Sequence, residues 1–242
     1  MSDYSNTAKV RHAYEEILKV IKPGDVVNQT GHARWYEIWL HFTYWAIRRY
    51  QKGLLGKNAN WHDTHTMLFF DEWDTFSVEL PRAKVKPLHE YCLSDMAIYR
   101  LKLIELSSEN IDCMMDAADR MIGTEYDIGQ LFDIALRGIL GYDQDRPLSV
   151  FDFGRKRKVC SVGVRVCFEH VYQKMIKASI PDAPEGKWLF RSLNPDKWPP
   201  SEIDKYKGTD VEATAPAHFA NTDYFQNEFE FVARFIDGKR IS

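Results

Sequence analysis

Apolar side chains recur along this chain with two different periods, and the two periods divide it into helices and strands. Val10, Tyr14, Ile17, Leu18 and Ile21 fall three or four apart, the spacing of one helix face, and Pro23-Gly24 stops the run. A helix over about 8–21 is expected. Asp25-Val26-Val27 then opens a short strand. From Arg34 to Tyr50, the stripe of Trp35, Ile38, Trp39, Phe42, Trp45 and Ile47 predicts a second, largely buried helix, since so dense an aromatic face usually packs in a core. A membrane-surface or substrate-groove helix is the alternative. Residues 52–60, with two glycines and an asparagine pair, predict a loop.

Two runs rich in Thr, Phe and Val, 62–70 and 75–80, flank the polar stretch Asp71-Glu72-Trp73-Asp74 and predict a β-hairpin. Residues 85–91 read as a short strand leading into a turn, and 96–104 as a further strand of the same antiparallel sheet. Ser107 or Ser108 caps a helix over 108–122 that Gly123 ends. Another helix is expected over 126–139, and a short strand over 148–153. From Cys160 the apolar positions Val164, Cys167, Val171, Met175 and Ala178 return to helical spacing. Pro181, Pro184, Pro195, Pro199, Pro200 and Pro216 then exclude long regular elements from the following stretch. The aromatic residues beyond Trp188 favour an extension that wraps the preceding domain over a second core. The expected organisation is an α+β domain over 1–180, an antiparallel sheet packed against a central helix that carries Cys160. A Pro- and aromatic-rich C-terminal extension over 181–242 completes it, and it is a candidate docking element for a protein partner.

Composition narrows the function classes. With 45% apolar and 28% charged residues among 242, the chain is an ordinary globular protein. A net charge of -3 argues against nucleic-acid binding, which needs concentrated positive charge. The basic run Arg155-Lys156-Arg157-Lys158 reads as a solvated loop, although cations just ahead of Cys160 would also favour a thiolate. Four cysteines, Cys92, Cys113, Cys160 and Cys167, are too few and too irregular for a disulfide framework or a paired zinc site, and a reduced compartment fits best. The start shows no signal peptide, and no stretch reaches transmembrane length. A cytoplasmic protein without stable membrane insertion is expected, or one delivered by a phage particle.

Cys160 carries the candidate chemistry. At a helix start, unpaired N–H groups and the positive end of the dipole favour a thiolate, and can lower a thiol from about 8.5 to roughly 3.5–7.5. A free cysteine is also a common small core residue, and on this stretch alone that reading is the better one. A partner base shifts the balance. With a hairpin loop centred on Glu72, His65 lies opposite Glu79, and directly opposed Cβ atoms on one face are about 4.5–5.5 Å apart. A carboxylate so placed would orient the imidazole as a catalytic triad requires, although a surface cross-strand pair is at least as common. His62-x-x-His65 lacks the spacing and glutamate of a zincin, so no metal and no cofactor is expected.

The order of histidine strand, glutamate strand and cysteine helix resembles the circularly permuted papain-like cysteine hydrolases, the YiiX/YebB-like branch of the NlpC-type superfamily. Pro23-Gly24-Asp25 matches the opening turn, Thr64-His65-Thr66-Met67-Leu68 the histidine strand, and Val78-Glu79 with Pro87-Leu88 the glutamate segment. Gly123-Thr124-Glu125-Tyr126-Asp127 matches a Gly-x-x-Tyr-Asp element, and Cys160-Ser161-Val162-Gly163-Val164 the cysteine helix. The resemblance spans about residues 20–178. It departs at Val162, where the family has glutamate; Cys167-Phe168-Glu169 keeps that glutamate, which makes Cys167 the alternative nucleophile. The resemblance implies a permuted papain-like fold in which Cys160 attacks an acyl carbonyl, His65 moves the proton and Glu79 orients His65. Tyr126 and Asp25 could line the substrate site. A peptide or other acyl substrate is implied, with bacterial cell-wall peptides foremost. Lipid-directed thioester or acyl-transfer chemistry and a non-enzymatic binding module are the alternatives.

Overall fold

The computed structural model describes residues 2–31, 38–55, 61–102, 105–127, 129, 159–179, 214–220 and 228–242. Seven strands form one sheet: β1 (Val26–Gln29), β2 (His65–Phe69), β3 (Thr75–Val78), β4 (Ala83–Lys86), β5 (Met96–Leu101), β6 (Phe229–Ile236) and β7 (Lys239–Arg240). Their order is β4-β3-β2-β1-β5-β6-β7, with every neighbouring pair antiparallel. The helices are α1 (Ser2–Leu18), α2 (Ile38–Leu55), α3 (Ser108–Asp119), α4 (Cys160–Ser179) and α5 (Pro216–Ala220), and a 3-10 turn spans Leu88–Glu90. The architecture is mixed α+β. Among the described residues no helix is long and apolar enough to cross a membrane.

Both faces of the sheet are covered, so successive side chains of β1, β2, β3 and β5 are buried whichever face they point to. Val26, Leu68, Phe76, Val78 and Tyr99 point to one core, where Met114 and Ala117 of α3 and Val164, Cys167 and Val171 of α4 meet them. Val27, Met67, Phe69, Met96 and Ile98 point to the other, closed by Ala13 and Ile17 of α1 and by Leu88. Each large side chain buried in this way contributes about 1.5–3 kcal/mol. A Cβ on Gly163 would lie 2.5 Å from Val78 Cγ2 and 3.3 Å from Phe76 Cε1, so the missing side chain lets the first turns of α4 close onto β3.

Most elements follow the hydrophobic pattern, and the departures have causes. α1 starts at Ser2, ahead of its first apolar repeat, and α2 runs on to Leu55 through Lys52 and Gly53, where a loop was expected. Residues 85–91 divide between the end of β4 and the 3-10 turn. Ser107 caps α3 as expected, accepting from the N–H of Asn110 at 3.3 Å. Tyr126 begins no helix: its N–H donates to Pro81 O at 3.0 Å, and Glu125 bridges Arg82. The rest of the expected helix over 126–139, apart from residue 129, and the expected strand over 148–153 lie outside the described residues.

Within the extension expected over 181–242, residues 229–236 and 239–240 add two strands to the sheet, and 181–213 and 221–227 lie outside the described residues. Phe229, Phe231, Ala233 and Phe235 recur at the strand period, but the prolines before them dominate the composition of that region. A register shift between Ile98 and Tyr99 sets Ala233 against Ile98 and Phe231 against Tyr99, one residue of β6 in excess. That bulge exchanges the two faces of β6. Phe229 thereby enters the core of α4 while Phe235 enters that of α1.

Candidate active site

The hairpin register sets Met67 opposite Ser77, in the expected frame, and His65 and Glu79 lie just beyond the last paired residues. By the alternation of the strand, His65, Ser77 and Glu79 share the face of Met67. The hydrogen bond to the imidazole comes from elsewhere than expected: Nε2 of His65 pairs with Ser77 Oγ at 2.8 Å, a diagonal neighbour across the hairpin. Glu79 is taken by other groups. Its Oε1 accepts from the Tyr91 hydroxyl at 2.5 Å, and its Oε2 lies 2.7 Å from Lys84 Nζ. Glu79 therefore acts on His65 through its charge.

Burial pushes the His65 imidazole down to about 4, with the Lys84 charge adding to the shift and the Glu79 charge opposing it. For Glu79 burial works upward, yet the hydrogen bonds from Lys84 and Tyr91 and the nearby His65 outweigh it and hold the carboxyl below its usual range.

Cys160 is the first residue of α4 and is 3% exposed. Its sulfur is met by N–H groups of Thr66, Ser161 and Cys160 itself, each favouring a thiolate. The Ser161 hydroxyl sends its one proton to Thr214 O at 2.5 Å, so the backbone donors are the ones left to the sulfur. The expected amide cage at the helix start is present, but its expected consequence is not. Burial outweighs the donors and pushes the thiol up to about 11, where dipole and N–H groups alone would have lowered it.

A cavity of about 300 Å³ opens beside His65 and is lined by Gln29, Gly31, Thr64, Glu79 and Tyr91 among others. A far smaller space lies at Cys160, against Val159, Thr214 and Pro216. Ile47 of α2 and Tyr126 line both and form a wall between the two spaces. The alternation of β2 sets the His65 imidazole on the sheet face of Met67 and α1, opposite the face that α4 and Cys160 cover, so the structure does not bring thiol and imidazole together. Burial raises the Tyr126 hydroxyl well above its usual value, and the Cys160 sulfur and Tyr44 add to the shift.

The remaining candidates part company here. Cys167 is fully buried two turns inside α4, and burial drives its thiol strongly upward. Asp25 lines neither cavity: it is 1% exposed, its two oxygens accept from Arg100 at 2.8 and 2.7 Å, and Oδ2 also accepts from the Lys22 N–H at 2.8 Å. Its carboxylate joins the α1–β1 turn to β5. Ser77 and Tyr91 escaped the sequence reading. Ser77 was legible as the residue two before Glu79 on the same strand face, whereas nothing local marks Tyr91.

The sequence matches no protein family and no curated protein. Among solved structures, the chain is similar to the crystal structure of the metalloprotein YiiX from Escherichia coli O157:H7, DUF1105. The TM-score is 0.43 and the identity 15%, over 89% of this chain and 98% of that one. Among the described residues of this chain, no group of three or more His, Cys, Asp or Glu side chains is placed to hold a metal ion.

Proposed function

We propose that this protein is a cysteine hydrolase of the circularly permuted papain-like kind, cleaving an amide bond through an acyl-enzyme on Cys160. One observation carries the reading: the Cys160 sulfur sits among N–H groups of a helix start and that of Thr66, the residue next to His65. In the reaction, the sulfur bonds to the substrate carbonyl carbon as the thiol proton passes to the imidazole of His65. The N–H groups now around the sulfur hold the oxyanion. Collapse breaks the C–N bond, His65 returns the proton to the departing amine, and water then releases the acyl group by the same steps. Ser77 and Glu79 hold the ring and its charge in place.

With the thiol raised and the imidazole lowered, the pair rests neutral at pH 7. Attack on this reading requires displacement of the Ile47–Tyr126 wall, which joins the two spaces, and rotation of the His65 side chain around the end of β2 toward α4. A peptide is the first substrate class, bacterial cell-wall peptides foremost. The burial of Cys160 favours a second reading, a binding module built on the same frame.

Incubation with cell-wall peptides and with acyl thioesters, followed by intact-mass and peptide mass spectrometry, separates the two. An acyl adduct on Cys160 that disappears in His65→Ala supports the hydrolase. Absence of any adduct between pH 5 and 9, with the fold intact, leaves the binding module.

A further inference from the structure

A second cavity, of about 620 Å³, runs along α2 and shares Gly31 and Tyr44 with the His65 cavity. Its lining is unlike the first. Arg48, Arg49 and Lys52 bring three cations to it, His41 lies among them, and none of the lining side chains is acidic. Positions 41, 45, 48, 49 and 52 follow the helical period, so one face of α2 supplies these charges together with Trp45.

Among the described residues, Arg48 and Lys52 meet neutral partners. Arg48 donates from Nε to His62 O at 3.2 Å and from Nη2 to Gly31 O at 3.1 Å, both neutral acceptors that fix the guanidinium at the cavity. Lys52 Nζ lies 5.1 Å from the centre of the Trp61 ring. Among the described residues neither is paired with a carboxylate. Trp61 and Trp45 add flat apolar walls, and Trp45 is 47% exposed. At the junction of the cavities, a Cβ on Gly31 would lie 2.4 Å from Tyr44 Cζ and 2.6 Å from Thr64 Oγ1, so only glycine lets that ring close on the chain there.

We propose that this cavity is an anion subsite. It holds a phosphate-type oxyanion on a ligand whose ring or chain packs against Trp45 and Trp61, next to the cavity of His65. A fixed guanidinium and an ammonium held over a ring suit a compact oxyanion, and the aromatic walls suit the group attached to it. Its role as the subsite that selects acidic acyl substrates rests on the hydrolase reading; the binding of the oxyanion does not.

Phenyl phosphate, which carries no acyl bond, tests the site by isothermal titration calorimetry on the full chain at low ionic strength. Saturable binding is expected, weakened at least about tenfold by Lys52→Glu and by Arg48→Gln, and unchanged by Arg11→Gln on α1. Because Arg48 also ties two loops, Arg48→Lys serves as its folded counterpart and should keep part of the affinity. Co-sedimentation with phosphatidylcholine vesicles containing phosphatidic acid gives the second arm. Vesicle binding with the same dependence on Lys52, in place of binding to the soluble ester, would identify the oxyanion as a lipid headgroup. No saturation in either arm, or equal weakening by Arg11→Gln, overturns the proposal. Oxyanion binding without any acyl adduct on Cys160 would remove the hydrolase reading and leave this site standing.

Discussion

The sulfur of Cys160 lies against the backbone N–H of Thr66, so the nucleophile and the strand that carries His65 meet at one amide. The hairpin geometry explains why that N–H is available. β2 pairs with β3 only from Met67 onward. The N–H of Phe70, pointing the same way as that of Thr66, still reaches Asp74 O at 2.9 Å. Beyond the end of the pairing, Thr66 presents its N–H to the sulfur instead. Splaying of two strands and the close approach of α4 at Gly163 together build the candidate centre.

Slow alkylation of all four cysteines is the first expected outcome. Burial raises the Cys160 thiol to about 11 and Cys92 to about 12, and moves Cys113 and Cys167 upward as well. At pH 7 almost no thiolate is present, and iodoacetamide followed by peptide mass spectrometry should find little label. Ile47→Ala should accelerate labelling at Cys160 alone, because it removes half of the wall, at a stability cost of about 2–5 kcal/mol. Equal acceleration at Cys167 would mean general unfolding and would count against the wall.

Acid should destabilise the fold through His65. The folded-state value of about 4 lies below the ordinary 6.5, so between those two pH values the unfolded chain binds the extra proton. The stability is fully present above pH 6.5, declines as pH falls, and is lost by pH 4. The shift corresponds to at most about 3 kcal/mol. His218, lowered to about 3 by burial and by the Arg165 charge, adds a contribution in the same direction. Urea unfolding at steps from pH 7 to 4 should therefore show a slope that His65→Gln reduces. A slope unchanged in that variant would place the titration elsewhere.

Much of the fold was legible where one residue type dominates a period. The start of α4 at Cys160, the capped α3 and the hairpin register were all visible, because helix and strand periods are local properties. β6 was not: its period lies behind a proline-rich stretch, and a strand that joins a sheet more than a hundred residues away carries no local sign of its partner. At the site, residue identity was legible and environment was not. That Cys160 begins a helix follows from spacing; that Ile47 and Tyr126 bury it follows from packing between distant segments, and this burial reverses the direction of the thiol shift.

Asp25 should behave as a structural residue. Asp25→Ala leaves the guanidinium of Arg100 without its bidentate partner and the Lys22 N–H without its acceptor, at a cost of about 3–5 kcal/mol. Chemical denaturation should show that loss. The labelling rate of Cys160, measured under conditions where the variant is still folded, should not change. A change in that rate would connect Asp25 to the site after all.

Gly163→Ala tests whether the close approach of α4 sets the centre. On an isolated helix the substitution would stabilise by about 1 kcal/mol, since alanine loses less backbone entropy than glycine. Here the new methyl would lie 2.5 Å from Val78 Cγ2, a distance that forces the helix or the strand to move. Overpacking of this kind costs about 1–3 kcal/mol. The net expectation is destabilisation of up to about 2 kcal/mol, read by urea unfolding. Val78→Ala in the same chain makes room for the methyl, so the double variant should lose less than the sum of the two single losses. The centre should respond as well. A helix start pushed off β3 relieves the burial of the Cys160 sulfur, and because burial outweighs the N–H donors at that thiol, Cys160 should label faster in the single variant than in the double one. Additive losses with identical labelling rates would show that the contact at Gly163 does not position the nucleophile.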